Sequence, residues 1–253
     1  MNPQAANFVF WAVLIGAPFV GSFLAVVTMR LPEQRGFLAG RSACDACGRT
    51  LGPAELIPVV SFVALRGRCR SCGAAIDPLH PVLEIGAFAV ALSAAPITSG
   101  WVLVASCVLG WMLLTLAAID WRTGLLPDVL TYPLIVLGLV VAGWMDPGAA
   151  ADHAIGAAGG FIVFAALTLI YRLVRGREGL GLGDAKLLAA GGAWLSWTAL
   201  PSVVLFAAVI ALGFVVVRRL QGQALAATDR IAFGPALALA IWLVWLFGPL
   251  VPG

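Results

Sequence analysis

The chain has 253 residues, 62% hydrophobic and only 11% charged, with 15 Lys and Arg against 12 Asp and Glu for a net charge of +3. A soluble globular domain carries roughly 25% charged residues, so this composition excludes a water-soluble globule and a disordered chain alike. The mean hydropathy of +1.03 is that of a polytopic membrane protein.

In chain order, the first apolar run covers residues 8–29 and is about the length of one membrane span. No basic segment precedes it and no small-residue cleavage site follows, so it reads as a retained helix rather than a signal peptide. Further spans are predicted at about 82–98, 101–119, 127–145, 154–173, 186–199, 201–217 and 231–251. The fold class is therefore an all-α polytopic membrane protein of about eight transmembrane helices. The second, sixth and seventh of these segments are short. Pro133 and the glycines at 156, 159, 160, 191 and 192 are tolerated in membrane helices, and the glycines allow close packing.

The basic residues set an orientation. With the N-terminus extracytoplasmic, all 15 Lys and Arg residues fall on the cytoplasmic side. Seven lie in the loop after the first span: Arg30, Arg35, Arg41, Arg49, Arg66, Arg68 and Arg70. Because these charges follow topology, they predict contact with lipid and not with nucleic acid.

That loop, residues 30–81, carries Cys44-Asp45-Ala46-Cys47 and Cys69-Arg70-Ser71-Cys72, two CxxC pairs with 21 residues between them. The spacing suits a tetrahedral four-thiolate zinc site. Gly48 and Gly73 follow the pairs, where a turn with positive φ favours glycine. Two disulfides are the alternative, but they require an oxidising compartment and the arginines place the loop in the reducing cytoplasm. Four thiolates leave no open coordination position, so the zinc is expected to be structural. Cys107, inside the third span, is expected to pack.

Two aspartates stand at the edges of apolar segments, where an ionisable group is costly. Asp120 closes the run from Trp101, and Asp184 ends Gly179-Leu180-Gly181-Leu182-Gly183-Asp184. The topology puts both at the cytoplasmic face. A carboxylate pair is sufficient equipment for acid–base hydrolysis by water. Each has a plainer reading: a salt bridge to Arg122 or simple solvation for Asp120, and a helix cap for Asp184. Asp128 follows Pro127 and is suited to a first helical turn by the helix dipole.

At these residues the chain resembles the type IV prepilin peptidase family, the bifunctional leader peptidase/N-methyltransferases of pilus and type II secretion systems. The resemblance runs through Gly21-Ser22-Phe23-Leu24 with Arg30-Leu31-Pro32, Leu56 to Phe62, Leu65 to Cys69, Pro81 and Glu84, Asp120 to Asp128, Gly179 to Leu188, and Phe233-Gly234-Pro235. It implies an intramembrane-type aspartic endopeptidase with catalytic Asp120 and Asp184. Gly181, Gly183 and Lys186 are expected to position substrate. Prepilins or pseudopilins would be cut after a glycine at the cytoplasmic face of the inner membrane. The new N-terminus would then be methylated from S-adenosylmethionine, whose binding residues the sequence does not identify. The implied domains are the first helix (1–29), the four-cysteine zinc loop as methyltransferase region (30–81) and the transmembrane peptidase (82–253). This chain departs from the family pattern at Ala25, His80, Leu182 and Ser196. A proton-coupled transporter and a zinc-stapled assembly scaffold are the rival classes, and neither accounts for both aspartate segments together with the loop.

Overall fold

The structure, a computed structural model, describes residues 3–36, 41–176, 181–222 and 232–250. The described part is mostly helical and contains no β-strand, only isolated antiparallel bridges at Ala43–Thr50 and Arg68–Ala75. The chain divides into two compact units, Met1–Thr115 and Leu116–Gly253.

The first unit holds α1 (Pro3–Arg30), the short α2 (Val60–Ala64), α3 (Leu79–Ala94) and the beginning of α4 (Gly100–Thr123). Helices α1 and α3 touch backbone to backbone at Gly21, where an added Cβ would lie 2.5 Å from the Glu84 Cα and the Leu83 carbonyl. Glycine is required there because any side chain would force the helices apart. The Trp111 indole on α4 donates to the Ala87 carbonyl on α3 (3.0 Å), which satisfies a polar group inside apolar packing. Between α1 and α3 the cysteine loop folds into two small turns.

The second unit holds the end of α4, then α5 (Asp128–Met145), α6 (Ala150–Arg175), α7 (Leu182–Leu195), α8 (Leu200–Leu220) and α9 (Gly234–Phe247). Helix α7 is its core, with every residue from Leu187 to Trp194 buried. Its alanines and glycines let neighbours come close: a Cβ on Gly192 would sit 2.1 Å from the Gly156 carbonyl of α6. The Trp194 indole donates to the Leu134 carbonyl of α5 (2.9 Å), and His153 Nδ1 meets the Ala193 carbonyl (3.0 Å). In hydrocarbon such packing and hydrogen bonding, not the hydrophobic effect, hold helices together.

Each of the eight expected segments coincides with a helix of the described residues. Five helical stretches, 4–30, 100–123, 128–145, 147–174 and 200–220, have the length and apolarity to cross a membrane. The seventh segment, expected to be short, is the full-length α8 of 21 residues. The eighth is shorter than expected, because α9 spans only the 14 residues Gly234–Phe247. At about 1.5 Å per residue, the 14-residue α7 and α9 reach only about 21 Å, less than the hydrocarbon thickness. The lipid-ready faces are large and apolar: Leu205, Val209, Leu212 and Val216 form one exposed stripe along α8.

Helix α7 ends at Ser196, whose φ of +69° and ψ of 170° fall in a region natural to glycine. The departure seen in the sequence at this position is therefore one of backbone strain.

Candidate active site and metal centre

Asp120 lies near the end of α4 and is 7% exposed. Its Oδ2 accepts the N–H of Gly234, the first residue of α9 (3.1 Å). That N–H belongs to an unpaired helix start, which favours a negative charge. A Cβ on Gly234 would fall 2.5 Å from Asp120 Oδ2, so only glycine lets the two approach. The sequence marks Phe233-Gly234-Pro235 only as the start of a span. Its role beside Asp120 spans 114 residues of chain and has no local signal.

Asp184 is in the first turn of α7 and is 9% exposed. Its Oδ2 accepts the N–H of Gly181 (3.1 Å), while its own N–H donates to the Gly181 carbonyl. The cap residue is Gly181, not Asp184 as the plainer reading has it: Asp184 is the third residue of the helix and returns to the cap N–H, and at this depth it is more than a solvated helix end. Helix α9, whose first residue holds Asp120, also packs against α7, which carries Asp184.

Gly183 turns its open side to Leu126, whose Cβ would be 2.9 Å from an added methyl, and so seats the start of α7 on the α4–α5 connection. Gly181 is exposed, and Gly179 lies outside the described residues. Lys186 forms an ion pair with Asp128 at the start of α5 and rests over the Tyr132 ring, 5.2 Å from its centre. This pair ties α7 to α5 two residues after Asp184.

In the other unit, the Sγ atoms of Cys44, Cys47, Cys69 and Cys72 all lie within 4.8 Å of one another. All four are free thiols. The two turns repeat the same geometry. Cys44 N–H donates to the Arg49 carbonyl and Gly48 N–H returns to the Cys44 carbonyl; Cys69 N–H donates to the Ala74 carbonyl and Gly73 N–H returns to the Cys69 carbonyl. Gly48 and Gly73 both have φ of +70°, as the spacing predicts. The backbone N–H groups of Cys72 and Ser71 bring the Cys69 thiol down to about 6, into the range of a ready ligand. The donor set, separation and N–H support fit a tetrahedral thiophilic metal.

The described structure is thus a multi-pass helical membrane protein with two buried carboxylates in one unit and a four-thiolate cluster in the other. A model of the bacterial peptidase A24 N-terminal domain matches residues 14–97, and that of the type IV leader peptidase family matches residues 107–216. Curated relatives named prepilin leader peptidase/N-methyltransferase include one from Burkholderia pseudomallei, 38% identical over 94% of this chain and 85% of its own length. Others come from Aeromonas salmonicida (36% identical; 94% and 91% covered) and Pseudomonas aeruginosa (36%; 95% and 91%). The chain belongs to the type IV leader peptidase family, a family of proteases. No solved structure matches it.

Proposed function

We propose that this protein cleaves the leader of type IV prepilins or pseudopilins with Asp120 and Asp184, and then methylates the new N-terminal amine. The observation that carries the reading is the buried carboxylate pair, each member held by a glycine N–H, in a chain that aligns with named leader peptidases along almost its whole length. Two carboxylates in mutual reach favour sharing one proton, because both ionised would repel. The ionised member takes a proton from water as the oxygen attacks the scissile carbonyl. The protonated member then donates to the departing amide nitrogen, and the pair is reset for the next turnover. No side-chain nucleophile is involved.

The basic residues support an extracytoplasmic N-terminus, and the likeness to leader peptidases supports an inner-membrane location with cleavage at the cytoplasmic face, just after the leader's glycine. Gly181, Gly183 and Lys186 flank Asp184 in the chain and are proposed to help position an extended scissile segment, Gly183 by seating the start of α7 on Leu126 and Lys186 by tying α7 to α5. Cys44, Cys47, Cys69 and Cys72 would hold zinc, whose role is to hold together a loop with little core of its own. The division of labour is the first helix at 1–29, the zinc loop and methyltransferase region at 30–81, and the peptidase at 82–253. S-adenosylmethionine would supply the methyl group.

The test is to incubate the detergent-purified protein with a purified prepilin and weigh the products. Loss of the leader with a new N-terminus directly after the glycine, one methyl heavier when S-adenosylmethionine is added, is the expected result. A prepilin that stays intact across several substrates, with metal bound, would overturn the reading in favour of a scaffold.

A further inference from the structure

The first unit contains a partly open cavity of about 240 Å³. Its walls come from three directions: Ser22 and Val26 of α1, His80 and Glu84 of α3, and the cysteine loop between them. The close α1–α3 contact at Gly21 brings Ser22 and Glu84 to the same space. Cys44 and Cys69 also line it, so the two cysteine turns form part of its wall. The cavity is lined only by residues of the first unit, whereas Asp120 and Asp184 belong to the second.

Glu84 is only 6% exposed, on a predominantly apolar helix, with no ion-pair partner among the described residues. Its Oε2 accepts the N–H of Val59 (2.6 Å). Val59 has φ of +60° and ψ of −49°, an outlier for a β-branched residue that persists only where surroundings impose it. A buried carboxylate anchoring a strained loop residue at a cavity wall is a combination that stability alone does not favour. Beside it, Phe62 and Leu65 offer an apolar surface, and Arg30 and Arg70 also line the cavity.

We infer that this cavity is the binding site for the methyl donor, with Glu84 facing its cationic and hydroxyl-bearing part. The inference rests on the methyl-transfer half of the proposed function. S-adenosylmethionine joins a flat apolar base, a ribose diol, a sulfonium cation and an amino-acid end. The apolar wall suits the base, the buried carboxylate suits the diol or the sulfonium, and the lining guanidiniums suit the terminal carboxylate. In the transfer, the amine lone pair forms the new N–C bond. The S–CH3 bond breaks with its electrons left on sulfur as a neutral thioether, and the surplus ammonium proton goes to water.

Equilibrium binding of radiolabelled S-adenosylmethionine to the full-length protein in detergent tests this directly. Glu84→Gln keeps the side chain's shape and removes its charge, and should weaken binding at least about tenfold, with bound zinc and thermal midpoint near wild type. Irradiating the donor bound to the wild type should attach label to peptides within residues 22–84, which needs no variant to fold. Wild-type affinity in a folded Glu84→Gln protein, or label confined to residues 116–250, would overturn the site. If wild-type protein cleaves prepilin but binds no donor, the site and the methyl-transfer reading fail together while the peptidase reading stands.

Discussion

The cysteine cluster and the aspartate pair are both polar islands in an apolar chain, but they are held by opposite means. The cysteines rest on two local turns that repeat one hydrogen-bond pattern, each complete within a few residues. They sit at the surface of their unit: Cys47 and Cys72 are exposed, Cys44 is half-buried and only Cys69 is buried. The aspartates are enclosed by helices, and the contact that fixes Asp120 joins residues 114 apart in the chain. A locally formed cluster can depend on a bound metal, whereas a pair assembled from distant helices depends on how closely those helices pack. Perturbations of metal and of packing should therefore separate the two regions.

The largest effect is expected at the pair. Asp184→Asn should lower cleavage by roughly 10³-fold, within the range general acid–base groups contribute, without changing zinc content. Measured rates within about tenfold of wild type would contradict the role. Gly234→Ala comes next. Its methyl would push on Asp120 Oδ2 at 2.5 Å, and displacing a reacting group by about 1 Å costs on the order of 10²-fold. Single-turnover cleavage would read this, and an unchanged rate would show that the Gly234 contact does not govern the carboxylate.

Metal removal sharpens the contrast from the other side. A strong chelator should open residues 41–76 to proteolysis while the helices α5 to α9 stay protected, as mapped by limited digestion and mass spectrometry. Uniform digestion of both regions would mean that the loop is not a separately stabilised element.

Smaller effects fall on residues that tune α7. Ser196→Gly relieves a backbone conformation that costs about 1–3 kcal/mol, offset by greater freedom of the unfolded chain and loss of the Ser196–Thr198 hydroxyl contact. A net gain of about 1 kcal/mol should appear as a higher thermal midpoint. Lys186→Ala removes a partly exposed ion pair and should cost less than about 1 kcal/mol of stability. Because Lys186 is proposed to position substrate, cleavage should fall by more than this loss of stability explains, with the thermal midpoint near wild type; cleavage at the wild-type rate would remove Lys186 from that role.

What is legible in the sequence follows the same division. The metal cluster is readable because its geometry is written in neighbouring residues: CxxC sets the turn and Gly48 and Gly73 supply its positive φ. The helices are readable from apolar run length, although length does not foresee that α9 spans only 14 residues. Asp184's partner is also readable, since a carboxylate three residues after Gly181 is placed to return to the cap N–H of its own helix. The Asp120 partner is not, because a glycine N–H at the start of a distant helix leaves no periodic or local mark. Glu84 is visible only as a motif member, and its burial at a cavity depends on Gly21 bringing α1 onto α3.

The most direct test of the central claim is a double-mutant cycle on cleavage rate with Asp120→Asn, Asp184→Asn and both together, in protein shown to be folded and metal-loaded. If the two carboxylates work as one acid–base unit, each single variant loses nearly all activity and the double variant is no worse than either. Losses that multiply, or a single variant that cleaves at the wild-type rate, would contradict it.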